Sequence, residues 1–182
     1  MAGDWIENRW KDNLKNKFPQ YFIGIKVLDI GSADINGTNK PWFDNCEYIG
    51  LDIRPYRNVD VVSIAHEYDA PDESFDVVCS TSELEHDMYW DKTLFKMVKL
   101  LKPSGFMWFS AAYRRPEHGT KFHNPEDSLT VRYNDQWAAF YRNISERDVR
   151  SVINIDEVFS QYEFSYSEGN DNLDLHFWGI KK

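Results

Sequence analysis

A glycine-containing turn and an acid downstream of it are the first residues here that could do chemistry. The run from Val27 to Gly37 (VLDIGSADING) places an apolar stretch before Gly31 and small or polar residues after it. Glycine lets the backbone approach a ligand, and the N–H groups of such a turn can hold an anion. Asp52 ends a second apolar run (YIGLDI), where a carboxylate can accept both hydroxyls of a ribose.

These two features together predict a nucleoside cofactor, although an ordinary glycine turn and a surface acid would give the same pattern. The dinucleotide pattern GxGxxG and the phosphate-loop pattern GxxxxGK[ST] are both absent from the sequence.

A second group of reactive residues, Glu83, Glu85 and His86, follows the apolar run FDVVCS. Histidine titrates near neutrality and could take a proton from a hydroxyl group. The alternative is that Glu85 and His86 cap the next helix and pack against neighbours. In that case a reaction would depend on the alignment of the reacting groups.

A basic loop, RRPEHGT, begins at Arg114. Arg114 and Arg115 could hold a phosphate or carboxylate of a substrate, or the loop could simply be solvated. His118 and His123 suggest a metal site, but no third ligand stands at a useful spacing, so no metal is predicted.

The elements that must position these residues are short apolar runs and helical stripes in alternation. Apolar runs predict strands at 25–30, 48–53, 59–64, 75–80 and 106–112, the last after a break at Pro103 and Gly105. Helical spacing predicts helices at 4–18, 90–101 and 145–153, the last with a capping box from Ser145 to Asp148. In the helix at 90–101, the expected apolar stripe is Trp90, Leu94, Phe95, Val98 and Leu101.

Aromatic or apolar residues occupy every second position in 162–166 and in 173–177, on either side of the polar stretch SEGNDN, and this pattern predicts a hairpin. The whole order indicates an α/β protein. Its sheet should be mostly parallel with an antiparallel C-terminal hairpin strand, and its helical layers thin. Ligands of such sheets bind at the carboxyl ends of the strands.

Composition limits the function classes. The 182 residues are 42% hydrophobic, which fits a globular protein expected to be one domain (1–182, with 1–24 as an N-terminal helical extension). The net charge of −9 disfavours a surface built for long nucleic acid. Two cysteines make no disulfide framework, and no apolar run has the length of a membrane span or a signal peptide. A cytoplasmic protein with no membrane partner is therefore expected.

Four blocks in this order resemble class I S-adenosylmethionine-dependent methyltransferases: VLDIGSADING, YIGLDI, FDVVCSTSELEHD and LKPSGFMWFSAA. They look like the family's first strand and loop, its ribose-binding acid, its fourth strand and the turn into its fifth. They lie between Val27 and Ala112, about half of the chain, and are specific only as a set. RRPEHGT and the ending DLHFWGIKK are similar to small, methyltransferase type 11-like proteins of bacteriophages and their hosts.

This resemblance implies a Rossmann-like sheet, S-adenosylmethionine as cofactor and S-adenosylhomocysteine as product. It places Asp29, Gly31 and Ser32 beside the methionine part of the cofactor and Asp52 at the ribose. Ala65 and His66 would flank the adenine. The remaining residues that it implies at the cofactor are Asp34, Asn36, Gly37, Ile53, Ser80 and Thr81.

The sequence departs from the family pattern at the first loop and beside the adenine. Ala33 and Ile35 replace the usual second and third glycines, and Ile64 stands where an acid is frequent. Asp34 and Asn36 could replace lost backbone contacts with side chains, or could simply form the turn.

The resemblance also bears on the acceptor. An Asn-Pro-Pro-aromatic run marks methylation of base amino groups, and Thr81-Ser82-Glu83-Leu84 stands in its place, so DNA is not expected. We expect methyl transfer to a small molecule or a sugar, on a glycan or nucleotide carrier. His86 and Glu83 are the candidate catalytic residues, and Arg114, Arg115 and His118 the candidate substrate contacts. The alternatives are a protein or nucleic-acid methyltransferase, a catalytically silent cofactor-binding module, and an NAD-dependent sugar enzyme. The oligomeric state is not indicated.

Overall fold

A seven-stranded mixed sheet organises the residues that the computed structural model describes, 5–167 and 173–182. Its strands are β1 (Lys26–Ile30), β2 (Glu47–Asp52), β3 (Val61–Val62), β4 (Phe75–Thr81), β5 (Leu101–Arg114), β6 (Phe159–Tyr166) and β7 (Leu173–Lys181). The spatial order is β3-β2-β1-β4-β5-β7-β6. Strands β1 to β5 pair in parallel, and β7 pairs antiparallel with both β5 and β6.

The predicted mostly parallel sheet with an antiparallel C-terminal hairpin is therefore confirmed. Most of the polar stretch predicted as the hairpin's turn, 168–172, lies outside the described residues. The predicted strand at 59–64 shrinks to the two residues of β3, which pair with Leu51 and Asp52.

The helices are few and short: α1 (Trp5–Lys17), α2 (Trp90–Leu100), α3 (Asp135–Ala138), α4 (Glu146–Val152) and α5 (Ile155–Val158). Residues 31–74, all described, contain two single 3₁₀ turns, at Lys40–Trp42 and Ala65–Glu67, and no α-helix. The prediction of thin helical layers is confirmed. None of the described helices is both long enough and apolar enough to cross a membrane.

The two faces of the sheet bury different neighbours because side chains alternate along each strand. On one face, Val27, Val77 and Trp108 pack with Leu14 and Phe18 at the end of α1. On the other face, residues of β1, β4 and β5 pack against α2 and α4; Leu28, Val78, Phe109, Leu94 and Val149 belong to this core. Helix α1 thus covers the face that the chain between β1 and β2 leaves without an α-helix.

Two predicted features of the α2 and β5 region were wrong. The buried face of α2 is formed by Trp90, Thr93, Leu94, Met97 and Leu100. These positions recur every three or four residues on one side of the helix, and Phe95, which points away from that side, is 58% exposed. Pro103 and Gly105 do not end the strand: Phe75 pairs with Leu101 and Val77 with Phe106, so the intervening residues form a bulge within β5. The capping box at Ser145 and Asp148 is confirmed.

Candidate cofactor and acceptor site

A cleft lies at the carboxyl ends of β1, β2 and β4, where the strand order reverses between β1 and β4. It holds about 920 Å³, including its open mouth. The sequence-predicted site residues that line it are Asp29, Gly31, Ser32, Asn36, Gly37, Asp52, Ile53, Ala65, Thr81, Glu83, His86 and His118. The fold therefore brings most of the candidates to one place.

The loop that follows β1 (the β1 loop) begins at Gly31. This residue can adopt its φ of +74° because it has no side chain. Its amide donates to the carbonyl of Leu51 at 2.9 Å, which ties the loop to the end of β2. Ser32 Oγ donates to the carbonyl of Asn58 at 3.0 Å, and Asn58 Nδ2 returns a bond to the Ser32 carbonyl at 2.9 Å. The turn is thus held by neighbouring loops and not by a following helix.

Asp29 is the centre of a buried hydrogen-bond network at the base of the cleft. Its carboxylate accepts from Asn39 Nδ2 at 2.9 Å, from the Tyr48 hydroxyl and from Cys79 Sγ at 3.5 Å. Asn39 Nδ2 also donates to Thr81 Oγ1 at 3.0 Å, which joins the β1 loop to β4. Burial raises the pKa of Asp29, and the bonds from Tyr48 and Asn39 oppose that rise. Asp29 therefore holds the side chains at the base of the cleft in place.

Asp52 is half-buried in the cleft wall. Its carboxylate oxygens accept from the amides of Ala33 at 3.1 Å and Ile53 at 2.7 Å. Burial raises its pKa to about 6, with the two amide bonds lowering it and the nearby Asp29 raising it. The carboxylate has lone pairs beyond those two bonds and can accept further donors from a ligand.

Three of the predicted cofactor residues, Ser80, His66 and Asp34, do not line the cleft. Ser80 is fully buried and does not line the cleft. His66 faces a separate surface depression beside Phe95, where its ring lies against Tyr89. Asp34 is bound through its backbone, its carbonyl accepting from Arg57 at 2.9 Å. Asn36 lines the mouth and donates to Asp127 at 3.4 Å.

The segment after β5 folds back and forms the roof of the cleft. Residues 127–130 and Trp137 line it from above. Arg54 donates to the carbonyl of Arg132 at 2.6 Å, so the loop after β2 holds this roof together with the Asn36–Asp127 contact. Trp137 is 5% exposed and belongs to the roof.

Acids and histidines form the far end of the cleft, after β4. Glu83 and His86 both line it, and Glu83 Oε2 is buried with no hydrogen-bond partner among the described residues. Burial and the nearby Asp87, Asp52 and Glu85 raise the pKa of Glu83 well above its usual range. Burial, with His118 close by, lowers the pKa of His86 to about 3. His86 is thus neutral at physiological pH and does not titrate near neutrality, contrary to what its residue type predicts.

Two predicted substrate arginines lie away from the cleft. Arg115 forms a bidentate ion pair with Asp174 on β7, and both side chains are largely buried. Arg114 is exposed, and its guanidinium lies 5.2 Å from the centre of the Tyr113 ring. His118, the third predicted substrate contact, does line the cleft.

The sequence offered little sign of two polar residues that support this site. Asn39 lies in an irregular segment and reaches Asp29 and Thr81 only through the fold. Lys11 is fully buried on α1, where its amine lies 4.0 Å from Glu7 and 4.9 Å from the centre of the Trp42 ring. Its burial lowers its pKa, against the pull of Glu7 and Asp29.

The sequence and the fold were both compared with those of known proteins. Residues 28–109 match the family model described as a methyltransferase domain. No curated protein sequence matches the chain significantly. Solved structures of similar fold are numerous, all at low identity among those compared below.

Phosphoethanolamine N-methyltransferase 2 of Haemonchus contortus, solved with phosphomonomethylethanolamine and S-adenosylhomocysteine, is 17% identical with a TM-score of 0.65. The match covers 98% of this chain and 53% of that one, so this chain spans about half its length. The 1,6-didemethyltoxoflavin-N1-methyltransferase of Burkholderia thailandensis is 14% identical with a TM-score of 0.68, over 98% and 79% of the two chains.

NodS, an N-methyltransferase from Bradyrhizobium japonicum, is 16% identical with a TM-score of 0.60, over 100% of this chain and 99% of that one. At these identities the structures show the fold, and the sequence match shows the domain. Residues 28–109 therefore match the methyltransferase domain family, and the chain has the fold of the class I S-adenosylmethionine-dependent methyltransferases.

Proposed function

We propose that this chain transfers a methyl group from S-adenosylmethionine to a small-molecule or sugar acceptor. The observation that carries the proposal is one cleft with two chemically different ends. The Asp52 carboxylate stands in its wall at the end of β2, and Glu83 and His86 stand at its far end after β4. A nucleoside cofactor and an acceptor would meet between them.

The residues of the cleft fit the charge of this cofactor. S-adenosylmethionine supplies a methyl group on a positively charged sulfur. The described residues that line the cleft include four acids, Asp29, Asp52, Glu83 and Asp127, and no lysine or arginine. A dinucleotide such as NAD would bring two negatively charged phosphates into the same acids. Because the described lining residues offer no cation to pair with phosphates, they favour S-adenosylmethionine over NAD whether or not the buried Glu83 is ionised.

The wall of the cleft fits the nucleoside half as well. Asp52 has free lone pairs for the two ribose hydroxyls. Ile53, Ile64 and Ala65 would supply apolar contacts to the adenine. Because Gly31 has no side chain, Glu83 can pack against the β1 loop. The backbone of that loop would then face the methionine part of the cofactor.

The chain's own residues would align the acceptor and keep water out. Glu83 Oε2, buried and without a partner among the described residues, would accept a hydrogen bond from the acceptor's O–H or N–H group. Neutral His86 would present a lone pair, not a charge, to the same space. Trp137 and residues 127–130 would cover the reacting groups. Alignment of this kind contributes a large share of the rate of a displacement reaction.

A small acceptor suits the closed roof and the charge of the molecule. Residues 127–130 and Trp137 narrow the approach to Glu83 and His86, and a net charge of −9 disfavours nucleic acid. Two of the similar structures are enzymes named for small acceptors, phosphoethanolamine and 1,6-didemethyltoxoflavin. Arg115 is engaged by Asp174, so of the three predicted substrate contacts we keep His118.

Calorimetry followed by a transfer assay tests the proposal. Titration with S-adenosylmethionine and S-adenosylhomocysteine should give saturable binding, and NAD should give none. Incubation with S-adenosylmethionine and metabolite or glycan extracts should give a product heavier by one CH₂ in mass spectrometry. Binding of NAD in place of S-adenosylmethionine would refute the cofactor. Binding without any product from metabolite, glycan, protein or nucleic-acid fractions would identify a silent binding module.

A further inference from the structure

Three potential metal ligands meet at the far end of the cleft, two of them adjacent in the sequence and the third from a later segment. Glu85 and His86 follow β4, and His118 lies in the segment after β5. One carboxylate oxygen and one ring nitrogen from each histidine all lie within 4.8 Å of one another. The two imidazole rings stand edge to face with their centres 5.1 Å apart.

Unpaired buried atoms show that this cluster lacks a partner. Glu85 is 1% exposed and His86 is 4% exposed. Glu85 Oε2 and His86 Nδ1 both have no hydrogen-bond partner among the described residues. A buried polar atom without a partner destabilises the fold, so two such atoms in one cluster call for a ligand.

The surroundings orient these ligands as the surroundings of a metal site do. His118 Nδ1 donates to the carbonyl of Pro116 at 3.0 Å, which leaves Nε2 as the unprotonated nitrogen. Tyr141 packs against both imidazoles, its ring centre 5.6 Å from that of His86 and 5.0 Å from that of His118.

We propose that Glu85, His86 and His118 form a binding site for one divalent transition-metal ion, of the class of Zn²⁺, at the acceptor end of the cleft. Two histidines and one carboxylate with an open position are a common set for such ions. Ligand atoms around tetrahedral Zn²⁺ lie about 3.4 Å apart. The cluster must therefore close by up to about 1.4 Å, which His118 can do because it is half-buried on a loop.

The open position of the ion would face the acceptor. His86 and His118 line the cleft, whereas Glu85 lies behind them. An acceptor oxygen bound there would lose its proton more readily, because a bound divalent ion stabilises the resulting anion. This role rests on the proposed function; the binding of the ion does not. The sequence predicts no metal because His118 and His123 have no third ligand at a useful spacing. In the structure the partners of His118 are Glu85 and His86, and His123 is exposed and outside the cluster.

Metal titration of the full chain without a histidine tag tests the site. Zn²⁺ should bind with a stoichiometry of one, measured in competition with a chromophoric indicator, and Co²⁺ should give visible absorption bands. His118→Ala and Glu85→Gln should each weaken Zn²⁺ binding by at least about 100-fold. His123→Ala removes an exposed histidine five residues away and should bind like the parent.

Binding of S-adenosylmethionine, measured on every variant, reports on folding and separates the two proposals. Unchanged cofactor binding with lost Zn²⁺ binding in His118→Ala and Glu85→Gln supports the site. If Glu85→Gln fails to fold, Zn²⁺ binding by His118→Ala still tests the site, because His118 is only half-buried. Equal Zn²⁺ affinity in His118→Ala and His123→Ala, or no stoichiometric binding by the parent, would overturn the metal site and leave the proposed function standing.

Discussion

The backbone of Gly31 lies directly against the side chain of Glu83. A Cβ placed on Gly31 would come within 3.0 Å of both Cβ and Cγ of Glu83, closer than real Cβ atoms approach other carbons. Gly31 follows the first strand of the sheet, and Glu83 follows the fourth. This contact joins the proposed cofactor loop to the acceptor end of the cleft, so one substitution should affect both.

Gly31→Ala should destabilise the fold and abolish cofactor binding. The substitution strains a residue whose φ is +74° and forces the β1 loop away from Glu83. We expect a loss of at least about 2 kcal/mol in the free energy of unfolding, measured by urea denaturation. Gly24→Ala is a matched control, since its φ is +66° and nothing lies within 4 Å of the added Cβ.

Gly24→Ala should lower the free energy of unfolding by only about 1 kcal/mol, because the added side chain strains the backbone but meets no neighbour. Equal losses in the two variants would mean that contact with Glu83 does not restrict the loop. Normal binding of S-adenosylmethionine by a folded Gly31→Ala protein would show that the cofactor does not approach this loop.

Arg115→Ala should reduce stability and have little direct effect on the acceptor. The sequence alone predicted a substrate contact, but the guanidinium is paired with Asp174, and both side chains are largely buried. Removing it leaves a buried carboxylate without its cation, which costs about 3 kcal/mol. Arg114→Ala, next in sequence and exposed, should change the free energy of unfolding by less than about 0.5 kcal/mol. A smaller loss in Arg115→Ala than in Arg114→Ala would contradict this assignment.

Local patterns predicted the strands and the ends of the cleft because short apolar runs and turn residues act locally. The residues from Asp29 to Gly37 and Asp52 sit at strand ends, and a parallel sheet brings such ends together whatever the helices do. Helix α1, whose Lys11 interacts electrostatically with Asp29, was predicted as an element but not as a cover for the sheet. Its placement depends on packing between residues far apart in the chain.

The acceptor side could be predicted less well for the same reason. Residues 127–130, which form the roof, belong to an irregular segment whose course is set by Arg54 and Asn36 from other loops. His118 and Glu85 come together only when that segment folds back. Burial also changes the chemistry of His86, whose pKa cannot be judged from its residue type.

Asp52→Ala should weaken the binding of S-adenosylmethionine by about 2 kcal/mol, roughly 30-fold. The variant loses a charged acceptor for the ribose hydroxyls. Asp72→Ala removes an exposed carboxylate that pairs with Lys99 on the surface, and should bind the cofactor like the parent. Calorimetry on both proteins, with circular dichroism to verify the fold, makes the comparison. Unchanged affinity in Asp52→Ala would remove this residue from the cofactor site.

The affinity for S-adenosylmethionine should fall as the pH drops through about 6. Burial raises the pKa of Asp52 to about 6, and only the ionised carboxylate can accept hydrogen bonds from both hydroxyls. Binding therefore favours the ionised form: the Asp52 contribution is complete above about pH 7 and falls up to about tenfold for each pH unit below 6.

Asp52→Asn provides the control, because its amide does not titrate while Asp29 and Glu83 still do. The ratio of the parent's affinity to the variant's, measured by calorimetry between pH 5 and 7, cancels those shared contributions. We expect the ratio to shrink steadily as the pH falls, since a protonated Asp52 and an asparagine offer the ribose similar groups. A ratio that stays constant over this range would mean that the Asp52 carboxylate does not bind the cofactor in its ionised form.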